Sequence, residues 1–334
     1  MRTDYRNRAA AACALLLNGL VFGGAPTGID WRFGPVMPQA KSCRAATAAG
    51  TLIVTVGGTL WEQPDPDAAK TKRWLACVYG LDTQRREWVT LPAYPIRAGY
   101  PLAAAVGRRV FACGGRDAET GHAETFVLDL DAATAAWQPG PPLPEPRWGH
   151  VGGAIGSVVY VAAGVEGNPA QENGTHQAAD ILALDTAAPA AGWRQVGVLP
   201  NTETAWVSGT TCAGKLYLFC EATNQAFAFD PGTGQCAEIT APPLPLSSGA
   251  AANIADRYVL VSGGTTPAGQ GRSIIANDCF LYDIEADRYR ALTPLRQAVL
   301  DQGLIGVDGV VYSFGGEDSP YRTRTDLLQI GTLH

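Results

Sequence analysis

Charge is scarce in this chain. Only 17% of its 334 residues are charged, and acids outnumber bases 31 to 25. No Lys/Arg-rich run occurs, and the formal net charge is −6. That balance argues against nucleic acid or an anionic membrane surface as a partner. Sustained helical periodicity is missing beyond the first 25 residues, which argues against a helical or α/β domain. None of the eight cysteines forms a CxxC pair, so a zinc site is not expected. Four scattered histidines cannot supply the Tyr/His ligand cluster of a copper radical oxidase, and no Glu/Asp/His series has the regular spacing of the iron-dependent specifier proteins. What the chain does have is 39 Gly, 23 Pro and many short apolar runs between turn residues. These predict an all-β architecture, and the length suits two ordinary domains or one large β-domain.

One apolar run ending in a small pair recurs along the sequence: Leu52–Gly58, Val110–Gly115, Val159–Gly164, Leu216–Cys220, Val259–Gly264 and Val311–Gly316. The fourth copy has lost its glycines. An apolar strand ending in Asp follows in five copies, at Asp82, Asp129, Asp185, Asp230 and Asp283. An aromatic comes next at Trp88, Trp137, Trp193 and Tyr289, with Cys236 in the fourth copy. A Pro-punctuated segment then ends each unit. The copies recur roughly every 50 residues. Together the diglycine, the Leu/Tyr-Asp and the spaced Trp resemble the kelch repeat over residues 29–334.

The resemblance implies a six-bladed kelch-type β-propeller with four antiparallel strands per blade. A single blade cannot bury both of its faces, so blades stack around an axis. Diglycines allow positive φ and close backbone approach. The sixth repeat lacks its Trp strand, and Ile29-Asp30-Trp31-Arg32-Phe33 supplies one, so residues 29–34 are expected to close the last blade and remove open edges. The predicted blades are about 41–92, 93–144, 145–200, 201–245, 246–294, and 295–334 with 29–34. Residues 1–25 read as a signal peptide or an N-terminal extension without structure: Arg2, Arg6 and Arg8 precede a short apolar stretch and then Gly23-Gly24-Ala25. The stretch is too short and broken for a membrane span. Export would place the protein in the periplasm or outside the cell; otherwise it is cytoplasmic. Most cysteines fall in apolar strands and read as small core residues. Cys212 and Cys220 share a hairpin and are the one pair considered for a disulfide.

Two loops per blade converge at one end of such a channel, which is a concave site suited to a small molecule or peptide. After the blade-ending prolines stand Lys41, Arg97, Arg147 and Arg296, with Glu203 and Ser247 in the fourth and fifth blades. Four cations around a pore mouth suit an anionic ligand, although arginines at blade junctions can equally tie neighbouring blades together. After the diglycines stand Arg116, Asp117, Glu166, Glu317 and Asp318, and after Cys220 stands Glu221. A carboxylate held against apolar walls has a raised pKa and can move protons, which makes Glu221 the candidate catalytic residue. The alternative for Glu221 is a hydrogen bond to the next blade. His150 reads as a substrate contact or as a buried, hydrogen-bonded core histidine.

Phe219-Cys220-Glu221 and Arg147-Trp148-Gly149-His150-Val151 are similar to segments of the exported bacterial N-acetylneuraminate epimerases, the sialic acid mutarotases. That resemblance implies interconversion of sugar anomers by acid/base catalysis, with no metal, redox cofactor or covalent intermediate. Glu221 would then transfer the proton while Arg147, Arg97 and Arg296 orient the substrate. An Arg-Thr-Asp stretch of that family is replaced here by Ala222-Thr223-Asn224-Gln225-Ala226, so another cation must hold the sugar carboxylate or the substrate differs. Two further readings remain: a non-catalytic kelch module that binds a glycan, an acidic peptide or another protein partner, and a cofactor-free cyclase or isomerase of another small molecule.

Overall fold

A computed structural model describes residues 25–62, 69–171, 173–200, 205–220, 223–269, 272–319 and 323–334. The segment read as a signal peptide lies outside the described residues, apart from Ala25. The chain is all-β, and its main units are six four-stranded antiparallel sheets. In chain order the first sheet is Ala46–Ala49, Leu52–Val56, Val78–Asp82 and Glu87–Leu91. The second is Leu102–Val106, Arg109–Cys113, Thr125–Asp129 and Trp137–Gly140. The third is Val151–Ile155, Val158–Ala162, Asp180–Asp185 and Arg194–Val198. The fourth is Ser208–Cys212, Lys215–Cys220, Gln225–Asp230 and Gln235–Ile239, and the fifth is Ala250–Ile254, Tyr258–Ser262, Cys279–Asp283 and Arg288–Leu292. The sixth joins Gly303–Val307, Val310–Phe314 and Leu328–Leu333 to Ile29–Phe33, which pairs antiparallel with Leu328–Leu333. The two ends of the described chain therefore share one sheet.

The first strand of each sheet lies beside the first strand of the next, and that of the sixth returns to that of the first. Apolar residues between neighbouring sheets form separate core clusters, such as Val54, Val110 and Leu128 between the first and second. Tryptophans join the outer strands. Trp31, Trp88, Trp137 and Trp193 each donate Nε1–H to a carbonyl at the end of the preceding sheet: Thr293 at 3.0 Å, and Pro35, Pro92 and Pro141 at 2.9 Å each. A buried indole needs such a partner, which ties the recurring Trp to the recurring Pro segment.

The diglycines work at the opposite edge. Gly58, Gly115, Gly264 and Gly316 donate their N–H groups to carbonyls of the connection entering the next sheet: Ala98, Arg147, Val299 and Lys41. The first glycine of each pair is left-handed, and a Cβ on Gly57 would stand 2.4 Å from the Ala98 carbonyl oxygen. No larger residue fits there without moving the next sheet. Extra hairpins project from this edge, namely Thr59–Glu62 with Thr71–Trp74, Val165–Gly167 with Thr175–Gln177, Thr265–Gly269 with Arg272–Ile275, and Glu317–Ser319 with Thr323–Arg324.

The considered disulfide is not formed. In the fourth sheet Cys212 faces Lys215 while Cys220 lies beyond the Ser208–Phe219 pair, so the register holds the two thiols at opposite ends of their hairpin. No helix among the described residues is long and apolar enough to cross a membrane.

Candidate functional site

A cavity of about 300 Å³ is lined by the first strands of all six sheets. Its walls are mostly glycine, alanine and threonine: Ala46, Thr47, Gly153, Thr210, Thr211, Ala251 and Gly306 among them. Small side chains let six strands approach one axis. Arg44, His150, Ser208 and Gln302 line the end from which the hairpins project.

At that end one structural position repeats, two residues before the pairing that opens five of the first strands. Tyr100, Gly149, Trp206, Ser248 and Asp301 occupy it, with φ of 61°, 65°, 61°, 56° and 55°. Left-handed backbone is uncommon for aromatic and other large residues, and where it occurs in a cluster it marks a place that the surrounding structure over-determines. Backbone bonds do so here: Gly149 N–H donates to Tyr100 O at 3.0 Å, and Asp301 N–H to Ser248 O at 2.9 Å.

Three of these side chains, Tyr100, Trp206 and Asp301, are linked across the cavity end through one another and Arg44. Arg44, ahead of the first sheet, donates Nη2–H to the Val207 carbonyl of the fourth at 2.7 Å. Its guanidinium lies 5.9 Å from the Trp206 ring and 3.5 Å from an Asp301 carboxylate oxygen. Trp206 packs edge-on against Tyr100 at 5.2 Å and is 40% exposed, so it forms the solvent-facing surface of the mouth. Arg324 joins Asp301 at 3.5 Å and Glu317 at 2.9 Å, and donates to Thr59 Oγ1 at 3.0 Å. Among the described residues nothing lies within 4 Å of where a Gly149 Cβ would stand.

The Thr59–Glu62/Thr71–Trp74 hairpin adds Lys72. Its ammonium donates to the Tyr100 hydroxyl at 2.5 Å and lies 5.4, 5.0 and 4.8 Å from the rings of Trp61, Trp74 and Tyr100. Burial first, then the Arg324 charge, lowers the Lys72 pKa to about 8. Burial raises the Tyr100 phenol to about 12, with Asp301 adding to the rise. Arg116 lies 5.5 Å from Trp74 and 5.2 Å from Trp148, and its guanidinium donates to the carbonyls of Asp117 and Ala118. Among the described residues, Arg44, Lys72, Arg116 and Arg324 thus stand with three carboxylates, Asp117, Asp301 and Glu317. The described part of the mouth has one more cation than carboxylates, in a chain that is acidic overall.

The residues singled out in the sequence are dispersed. Lys41 is fully buried, donating to Thr55 Oγ1 at 3.2 Å and to the Gly57 carbonyl at 2.6 Å. Arg147 is fully buried too, donating to both Glu166 and Asp180, and Glu166 also meets His176 Nε2 at 3.2 Å. Arg97 is exposed. Arg296 lies over Phe33 at 5.2 Å, next to the outer strand of the sixth sheet. The four cations therefore do not share one cavity. Glu317 reaches the mouth through Arg324. His150 lines the cavity; burial, with the nearby Arg147 charge, lowers its pKa to about 3, so it is neutral at pH 7. Glu221 and Glu203 lie outside the described residues. Arg44, Lys72, Tyr100, Trp206 and Asp301 escaped the sequence reading. The chain matches no protein-family model.

Proposed function

We propose that the chain is a six-bladed kelch-type β-propeller whose hairpin-end mouth binds a small anionic sugar and interconverts its ring forms by proton transfer. The cyclic adjacency of the six first strands, the tryptophan and diglycine ties and the shared sixth sheet support the propeller reading. One observation carries the functional reading. Arg44, Lys72 and Arg116 converge on an aromatic floor of Trp74, Tyr100 and Trp206, at the end of a cavity whose size suits a small molecule.

The chemistry follows from these groups. Arginine grips a carboxylate with paired hydrogen bonds, and an aromatic face packs against the apolar face of a sugar ring. Ring opening needs a base for the anomeric hydroxyl proton and an acid for the ring oxygen. Lys72 and Tyr100 share a hydrogen bond: the amine, with a pKa of about 8, can take up or release a proton near neutrality, while the phenol, raised to about 12, keeps its own proton and can donate it only as a hydrogen bond or to a strong base. Glu221 remains the candidate for the other proton.

Proton NMR of freshly dissolved α-N-acetylneuraminate, with and without purified protein, tests this. Faster appearance of the β anomer is expected, lost by about a hundredfold or more in Tyr100→Phe or Glu221→Ala. No acceleration at micromolar protein removes the reading. The exposed Trp206 also favours a second reading, a non-catalytic module for a glycan or acidic peptide, which predicts saturable binding without anomer exchange.

A further inference from the structure

Lys41, Lys70, Lys72 and Lys215 are the four lysines of the chain. Lys41 is bonded to a carbonyl and a hydroxyl deep between sheets, and Lys215 pairs with Asp230 at 3.1 Å. Lys72 is held differently. Three aromatic rings surround its amine, the hydroxyl of one of them, Tyr100, accepts its hydrogen bond, and among the described residues no carboxylate forms an ion pair with it. The charges that act on it come from three elements: Arg324 and Glu317 on the hairpin of the sixth sheet, Asp301 before that sheet's first strand, and Arg116 after the second sheet's glycines. Arg116 lies over the same Trp74 ring, at 5.5 Å against 5.0 Å for Lys72. Arg116 also acts on Lys72 through its charge, so a ligand with a carboxylate for Arg116 and a carbonyl for Lys72 suits the pair, and a 2-oxo acid is the smallest ligand that carries both.

We propose that Lys72 is a carbonyl-reactive amine that forms an imine with a small 2-oxo acid at the mouth. This rests on the reading of the mouth as a carboxylate site and not on anomer exchange. The neutral Lys72 amine attacks the carbonyl carbon; the C–N bond forms and the C=O π pair moves to oxygen. Tyr100 O–H protonates that oxygen and regains a proton from the new ammonium, giving the carbinolamine. The nitrogen lone pair then forms C=N as the C–O bond breaks, and Tyr100 supplies the proton with which oxygen leaves as water; the phenolate is reprotonated from solvent, which took up the proton that the lysine ammonium released at the start. Overall, lysine ammonium and ketone give protonated imine and water. An amine in an apolar box next to other cations is the usual activated form of such a nucleophile.

The full chain is incubated at neutral pH with pyruvate and cyanoborohydride, which reduces an imine to a stable secondary amine, and adducts are mapped by peptide mass spectrometry. At neutral pH a pKa of about 8 leaves roughly a hundredfold more free amine than an ordinary lysine has. Lys72 should therefore gain the reduced pyruvyl group at least about tenfold faster than Lys215 in the same sample. Tyr100→Phe should slow Lys72 and leave Lys215 unchanged. Arg116→Ala should slow labelling by pyruvate but not by the neutral ketone dihydroxyacetone. Labelling of Lys72 no faster than Lys215 overturns the proposal. Equal labelling by pyruvate and dihydroxyacetone overturns the 2-oxo acid preference and, with it, the reading of the mouth as a carboxylate site. Selective labelling by pyruvate without anomer exchange in the NMR assay sustains the imine and overturns the mutarotase reading alone.

Discussion

Arg147 and Lys72 are both cations drawn out of water, and they are held by opposite chemistry. Arg147, at the junction of the second and third sheets, is fully buried against Glu166 and Asp180, and its carbonyl also accepts from Gly115 N–H. Lys72, on a hairpin at the cavity mouth, has aromatic faces and one phenol. A cation tied to carboxylates keeps its charge and locks two elements together. A cation on aromatic faces is only weakly compensated for its lost hydration, so its proton becomes easy to remove. Electrostatic burial thus builds a brace in one place and a reactive group in another.

Removing the brace should have the largest effect. Arg147→Met leaves Glu166 and Asp180 facing each other without their counter-charge, and should cost about 3 kcal/mol or more in urea unfolding. A loss below about 1 kcal/mol would place Arg147 among ordinary surface charges. The next effect is on acid stability. His150 lies beside Arg147 with a pKa lowered from 6.5 to about 3, so between these values the unfolded chain binds a proton that the folded chain does not. Stability should fall as pH drops from 6.5 towards 3, and His150→Gln should flatten that slope. An unchanged slope would show that His150 takes up its proton in the folded protein. The smallest effect belongs to Lys72. Lys72→Met should shift stability at pH 7 by no more than about 1 kcal/mol, because the lost packing and hydrogen bond are offset by relief of an incompletely compensated charge. In the wild type the folded pKa of about 8 lies below the ordinary 10.5, so stability should rise between those values, and the variant should lack that rise.

The sheets were legible because their causes are local and repeated. Gly57 must be glycine for the Ala98 carbonyl, and Trp137 needs the Pro92 carbonyl, so each feature marks one junction. The mouth was harder to read. Counting from the prolines that end each repeat selects Lys41, Arg97, Arg147 and Arg296, but the connections differ in length, so an equal offset from proline is not an equal place around the cavity. Counting back from the first strands aligns Tyr100, Gly149, Trp206, Ser248 and Asp301, all left-handed. Their side chains range from none in Gly149 to an indole in Trp206 and a carboxylate in Asp301, and only backbone conformation unites all five. Lys72 had a weak signal: Trp61 and Trp74 flank it outside the strand that carries the recurring Trp. The convergence of Trp61, Trp74 and Tyr100 on the Lys72 amine depends on two different repeats meeting in space.

Having only four lysines allows a direct test of the contrast. The side-chain resonances of isotopically labelled lysine can be followed by NMR from pH 6 to about 11, with Lys72 assigned by the signal missing from Lys72→Met. A midpoint near 8 for that signal, moved by added pyruvate, is the predicted result. A midpoint at the ordinary lysine value, about 10.4, would contradict the reading of the mouth as a site built around a reactive amine.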